Sequence, residues 1–354
     1  MVTITVVDRS DERIVIDVAT VDLALINSLR RTVIADVPNA ALLHEPYAAD
    51  GSQFTFAVNT CVLHDHMMAH RLSMVPLHFS RGEAQSYIPK SITVRLAAEN
   101  KGSVPMDVTT EHCQVTLHDR PHPDTDRLFP VNSSSGDRPL LTVLKPGEKI
   151  DMTGTVVAGT AARHASFAVT SMCTFSPLLD DALVAAGREA AGKADDPGRA
   201  LNRFEHIDRK RCWAPNKDGN PSAFRFTVES ECGMTATDII ESAVDVLLTR
   251  CVTAKTTAPQ TDAGDGMVTY ELHGEGDTLG NLMQSAAVDD LCGDDGPLKF
   301  IGYYRPHPLQ DRMLVRAYLR SGDAHQAFAA IKSAAVVRVT EFKKALLEAL
   351  AGVA

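Results

Sequence analysis

The sequence predicts an α+β protein made of two related units in one chain, the first of them split by an inserted β-rich domain. Three observations carry this. Both ends of the chain run through a strand, a helix opening on Leu-x-Asn (Leu25-Ile26-Asn27 and Leu279-Gly280-Asn281), a hairpin and a long amphipathic helix, which amounts to an internal repeat. Over about 82–178 the texture changes to short strands between Gly, Pro and Ser turns. A stretch rich in Thr, Ala, Pro, Asp and Gly over 253–266 sets the last unit apart. The expected division is 1–81 with 179–258 for the first unit, 82–178 for the insertion, 259–266 for a linker and 267–354 for the second unit.

The elements follow in order. Residues 2–7 and 13–18 alternate apolar and polar positions around a charged turn, as a β-hairpin does. Asp22 can cap a helix whose stripe is Leu25, Ile26, Leu29, Val33, Ile34 and Val37, and Pro38 stops it. Residues 54–58 read as a strand and 66–72 as a short helix. The insertion carries strands near 92–96, 104–108, 140–144, 149–157 and 165–170. Residues 181–221, rich in Ala, Gly, Asp and Pro, read as a surface excursion of low regularity. A strand at 224–230 leads to a helix capped by Thr237 or Asp238, with Ile239, Ile240, Ala243, Val246, Leu247 and Val252 inward. The last unit reads as strand 267–272, a helix from about 278, strands 298–304 and 312–320, and a helix over about 324–349. Two such units suggest a pseudo-twofold pair packing helix against helix. The expected seam is Leu25, Ile26, Leu29 and Val33 against Leu279, Leu282, Met283, Phe328, Ile331 and Phe342.

A formal net charge of −10 argues against a dedicated nucleic-acid binder and favours protein partners. The 44% hydrophobic content supports a sizeable core. Seven scattered cysteines suit free thiols in a reducing compartment. The N-terminus lacks a basic and apolar leader, and no apolar run approaches the ~18 residues of a membrane span, so a soluble intracellular protein is expected.

Several residues invite a chemical reading. His66 and His70 stand four apart on a short helix beside His64 and Asp65, but no nearby cluster completes a coordination shell, so a contact or structural role outweighs a metal. His112, Cys113, His118 and His122 offer ligands without C-x-x-C spacing. Gly274, Gly276 and Gly280 follow a strand and open a helix, yet the spacing is one residue too long for a dinucleotide turn, and Asp277 would oppose a pyrophosphate. Tight turning into the helix is the better account of these glycines. Tyr304, Arg305 and His307 lie either in an ordinary strand end and turn or in an exposed contact loop. Arg30 and Arg31 flank an apolar stripe and by themselves read as solvated charges. No nucleophile–base–acid set, phosphate loop or paired-acid motif emerges, so no catalytic residue, metal or cofactor is expected. The rival reading is a stand-alone metal- or nucleotide-binding enzyme using the histidines or the glycine turn.

Residues 27–38 (Asn-Ser-Leu-Arg-Arg-Thr-Val-Ile-Ala-Asp-Val-Pro) resemble the dimerisation signature of the alpha-type subunits of multisubunit DNA-directed RNA polymerase. These comprise the bacterial alpha subunit, the third-largest subunit of polymerase II and archaeal D. The resemblance continues through 59–77, including Ala69-His70-Arg71-Leu72, with His66 in place of the usual acid and Ser73 in place of Gly. Lys145-Pro-Gly-Glu-Lys149 and 226–233 are similar to the family's inserted domain and its return strand. Residues 273–282 and 300–309 resemble the eleventh subunit of polymerase II or archaeal L, and a fusion of the two is similar to those of nucleocytoplasmic large DNA viruses. The resemblance implies a non-catalytic platform with both halves of the dimer in one chain. It implies docking of the two largest subunits, and of small polymerase subunits, through Arg30, Arg31, Asp65, His66, His70, Arg71, Tyr304, Arg305 and His307. It further implies contact with DNA only through the complex, no membrane, no homodimer, and residence in the host nucleus, a cytoplasmic viral factory or the virion.

Overall fold

Alternation over the first twenty residues folds β1 (Thr3–Arg9) against β2 (Arg13–Ala19), antiparallel, with a bulge between Val6 and Asp8. β2 buries Ile14, Ile16 and Val18. The structure, a computed structural model, describes residues 2–45, 54–86, 92–118, 120–122, 125–132, 135–217, 219–257, 259–261, 266–320 and 322–352. Helix α1 (Leu23–Ala35) starts at Asp22 and buries Leu25, Ile26, Leu29 and Val33. Ile34, read as part of that stripe, is 40% exposed, because it sits about 100° round the helix from Val33. Pro38 ends the helix and also opens β3 (Pro38–Leu42), since a first strand residue can forgo its N–H.

The chain then builds β4 (Phe54–Asn59), α2 (Asp65–Ser73), α3 (Arg81–Ser86), β5 (Ile92–Glu99), β6 (Met106–Thr109), β7 (Cys113–Leu117), β8 (Arg120–Pro121), α4 (Thr125–Leu128), β9 (Leu140–Leu144) and β10 (Lys149–Thr160). β10 is the spine of this region: β5 pairs along one part of it, β4 beside it, and β3 continues beyond β4 over 156–160. Leu42, Phe54, Met68, Leu72, Phe79, Leu96, Ile150 and Met152 share its core.

Past β10, a single helical turn occupies 165–167 where a strand over 165–170 was expected, and β11 (Thr170–Pro177) begins only at its end. The excursion read as irregular is a helical hairpin, α5 (Asp181–Gly192) and α6 (Pro197–His206). β12 (Ala223–Ser230) leads to α7 (Ala236–Thr253), capped by Thr235, whose hydroxyl accepts from the Asp238 N–H while Asp238 receives the Thr235 donors. Thr237 and Asp238 are therefore inside the helix, and Val252, read as buried, is 51% exposed next to the buried Cys251 in its last turn.

The rest is β13 (Gln260–Thr261), β14 (Met267–His273), α8 (Asp277–Leu291), β15 (Leu298–Tyr304), β16 (Arg312–Leu319) and α9 (Ala324–Ala351). Of the linker read at 259–266, Gln260 and Thr261 pair with β14, and 262–265 lie outside the described residues. The two outer sheets have the same plan, β1-β2-β12-β11 and β13-β14-β16-β15. One hydrophobic cluster joins both, drawing on β2, α1, β12 and α7 with β14, α8, β16 and α9.

The boundaries at 82 and 178 shift accordingly. β3, β4 and α2 share the sheet or core of β10, whereas β11 pairs with β12 in the first outer sheet. Hydrogen-bond partnership, not local texture, places each strand. The two cores are fastened at Gly233, where a Cβ would fall 2.6 Å from the His78 carbonyl oxygen, and by Arg81, which pairs with Glu241 at 2.9 Å and Asp245 at 3.0 Å. Among the described residues no helix is long and apolar enough to cross a membrane.

Candidate pairing seam and exposed contact surfaces

Helices α1 and α8 come from the two Leu-x-Asn segments, and they pack antiparallel. Near the start of α1 the Ser285 hydroxyl donates to Asp22, and Arg338 of α9 reaches the same carboxylate at 3.6 Å. Midway, the Ser28 hydroxyl donates to the Thr278 carbonyl at 3.0 Å and Arg31 Nε donates to Thr278 Oγ1 at 2.8 Å. α7 and α9 run antiparallel too: Lys343 pairs with Asp245 at 2.7 Å, and Lys332 donates to the Val252 carbonyl at 3.0 Å. All ten residues expected at the seam lie in the shared cluster. Burying each large side chain is worth about 1.5–3 kcal/mol, so the apolar face supplies most of the attraction and the polar pairs fix the register.

One polar cluster at the seam is not visible in the sequence. Arg250, in the last turn of α7, donates from Nη1 to Asp36 at 2.6 Å and from Nη2 to Glu275 at 2.6 Å. One guanidinium thus ties the end of α1 and the turn before α8 to α7. Burial pushes the Asp36 carboxyl up against the pull of Arg250 and Arg31. Burial disfavours the Arg250 cation as well, but Glu275 and Asp36 hold it above its ordinary value. In sequence this arginine looks like any base placed to suit a helix C-terminus.

The glycine turn works otherwise than expected. Gly274 has φ +71° and makes the sharp turn, but Gly280 lies within α8, where a Cβ would collide with Met313 Sδ and fall 2.6 Å from Tyr303 Cδ2. Its job is close approach of helix to sheet. In an open helix Gly→Ala gains roughly 1 kcal/mol. Here Gly280→Ala is expected to cost about 1–3 kcal/mol, because overpacking outweighs propensity. Thermal unfolding of the variant checks the sign. β15 and β16 form an antiparallel hairpin, not a crossover.

The residues expected at outside contacts are scattered over three surfaces. Arg30 is half-buried and donates through Nε and Nη2 to Asn27 Oδ1, at 3.2 and 3.1 Å. Arg31 is exposed but anchored to Thr278, as above. Asp65, His66, His70 and Arg71 lie on the outer side of α2. Asp65 accepts from Asn59 at 2.8 Å, and the His66 ring stands 5.6 Å from that of His44. Arg71, expected at a partner contact, is exposed and donates to the Leu141 and Leu140 carbonyls at 2.7 and 2.9 Å, which fastens α2 to β9. Tyr304, Arg305 and His307 sit at the tip of the second unit. Arg305 donates to the Pro308 and Gln310 carbonyls, and His307 accepts from the Leu309 N–H, so both shape their own loop. That loop presents Tyr304 and the 91% exposed Leu309.

Among the described residues no group of three or more His, Cys, Asp or Glu is placed to hold a metal ion. Burial pushes the Cys113 thiol up to about 12.

Comparison with known proteins gives a consistent result. The family described as RNA polymerase Rpb3/Rpb11 dimerisation domain matches residues 15–251. Human DNA-directed RNA polymerases I and III subunit RPAC1 is 24% identical over 201 residues, covering 51% of this chain and 56% of its own. DNA-directed RNA polymerase II subunit RPB3 of Schizosaccharomyces pombe is 27% identical over 169 residues, covering 43% and 52%. DNA-directed RNA polymerase subunit Rpo3 of Thermococcus kodakarensis is 31% identical over 109 residues, covering 29% and 38%. The chain spans little more than half the length of the human and bovine RPAC1 proteins.

Proposed function

The chain belongs to the RNA polymerase Rpb3/Rpb11 dimerisation domain family, and from that premise we propose that it is a non-catalytic assembly platform of a DNA-dependent RNA polymerase. In this reading its two outer units are the two halves of a platform dimer carried in one chain, and the β10 region is an inserted domain. The observation that supports it most is the shared strand order of the two outer sheets, joined through one core by antiparallel α1 and α8. Fusion turns a bimolecular encounter into one at high effective concentration and fixes the stoichiometry. The two largest subunits, and small ones, dock on the outside, and DNA is reached only through the complex. The chain works inside the cell, in the nucleus or in a cytoplasmic factory of a large DNA virus.

Affinity capture of the tagged chain from cells containing its polymerase, followed by mass spectrometry, tests this. The two largest polymerase subunits are the expected companions, and their absence would contradict the reading. Within that experiment the double variant Arg30→Glu/Arg31→Glu should reduce capture at least about tenfold, since charge-assisted contacts to a partner's carboxylates become repulsions. Loss of the Asn27 and Thr278 bonds should cost the fold only about 1–2 kcal/mol. Undiminished capture would remove these arginines from the docking surface.

A further inference from the structure

Histidines from three segments converge at the end of β3. His44 lies two residues past that strand and is 8% exposed. The His66 ring of α2 stands 5.6 Å from it, the His64 ring stands 6.2 Å from that of His66, and Phe54 of β4 meets His44 edge-on at 6.0 Å. His70 follows His66 by one turn on the outer side of α2. His164 comes from the turn after β10, where its Nδ1 accepts from the Ser166 N–H at 3.2 Å and lies 2.9 Å from the Ser166 hydroxyl. Phe167 of the same turn packs with Ala41 and Leu43 beside His44. His66, His70 and His164 all act electrostatically on His44.

Among the described residues the other charges of these segments balance. Glu45 pairs with Arg163 at 2.7 Å. In α2 the only charged side chains besides the histidines are Asp65, which accepts from Asn59, and Arg71, while β3 and β4 carry none. The charge of the patch is therefore set by its histidines, and histidine is the side chain that changes charge between about pH 5 and 8. Burial, and then His66, His70 and His164, push the His44 imidazole down from its ordinary value of 6.5. A histidine whose folded value lies below its unfolded one takes its proton more readily in the unfolded chain. Its contribution is thus intact above 6.5 and is withdrawn as pH falls below it. At His164 a proton does a second thing: an imidazolium has no lone pair left to accept from Ser166.

We propose that this histidine cluster is an acid-operated latch on α2. Neutral, it lets the helix lie against β3; charged, it drives the N-terminal half of α2 away and loosens the docking surface that the helix presents. Arg71, bonded to β9 from the last turn, holds the far end, so the helix swings from there. The inference rests on the assembly reading for what docks on α2, and on the histidine geometry alone for the latch.

Amide exchange on the full chain at about pH 7.5 and about pH 5.5, corrected for intrinsic exchange rates, tests the latch. At the lower pH residues 64–73 should lose protection about tenfold relative to α9, the effect of one pKa unit. His44→Gln should remove most of that loss, and so should His66→Gln/His70→Gln, whose side chains are exposed and whose replacement leaves the core intact. No loss in the parent, a loss spread evenly over the chain, or an equal loss in the His66→Gln/His70→Gln protein would overturn the proposal. Capture of the large polymerase subunits by the parent and by His44→Gln is read at the same two pH values. It should fall at acid pH for the parent and less for His44→Gln; capture undiminished while α2 loosens would also overturn the proposal. If capture fails at both pH values while α2 loosens, the assembly reading falls; if capture succeeds at both and α2 stays protected, only the latch falls.

Discussion

Leu29→Asp is expected to abolish folding of the chain, not merely to weaken it. Leu29 is 1% exposed on α1, in the cluster that also holds the buried faces of α7, α8 and α9. The substitution removes about 2 kcal/mol of burial and places a carboxylate where no cation can reach it, at several kcal/mol more. Domain stabilities of about 5–15 kcal/mol leave little margin for both losses. The control Leu29→Ala should fold but lose about 2–5 kcal/mol, as a core truncation does. Circular-dichroism melting and soluble yield read both. A Leu29→Asp protein that melts like the parent would mean that α1 does not face a shared core.

Arg250→Met should produce the next largest loss. It leaves Asp36 and Glu275 facing each other without the cation that separates them. Breaking a fully buried pair costs about 3–5 kcal/mol; with Arg250, Asp36 and Glu275 at 22%, 25% and 16% side-chain exposure, about 2–3 kcal/mol is expected. The direction with pH follows from Asp36, whose carboxyl already sits above its ordinary value because it is buried. Without Arg250 it should rise further. An acid whose folded value exceeds its unfolded one destabilises the fold above both values, and that penalty fades as falling pH protonates it. The deficit should therefore be largest at neutral pH and shrink toward the acid range. Urea unfolding of parent and variant at both ends measures it, and a pH-independent deficit would rule out an ionic origin. Adding Asp36→Asn and Glu275→Gln should recover most of the loss.

Much of the outer architecture is legible because its strands and helices carry strong periodicity. Ile14, Ile16 and Val18 alternate, and Phe328, Ile331, Ala335, Val339, Phe342, Leu346 and Leu350 trace a single helical face. The hairpin at 181–206 was hidden because only Phe204 is buried there, and a helix without a buried stripe leaves no stripe to read. The strand at 170–177 was misplaced because its buried positions are Thr170 and Cys173, weak signals beside Val or Ile. The apolar half of the seam could be read from residue type. Its polar half could not: Asp36, Arg250 and Glu275 are far apart in sequence and ordinary in pattern, and only the packing of α1, α7 and α8 brings them together. The bonds of Arg71 to two backbone carbonyls are equally hidden, because Leu140 and Leu141 lie about seventy residues away in the chain.

Whether the two halves pair within one chain is tested most directly by light scattering on the purified protein before and after cleavage at an engineered protease site within 262–265. The intact chain should be a monomer of 38.2 kDa, and the two fragments should stay together at that same mass. A stable dimer of the intact chain, or fragments that separate and pair with their own kind, would contradict that pairing.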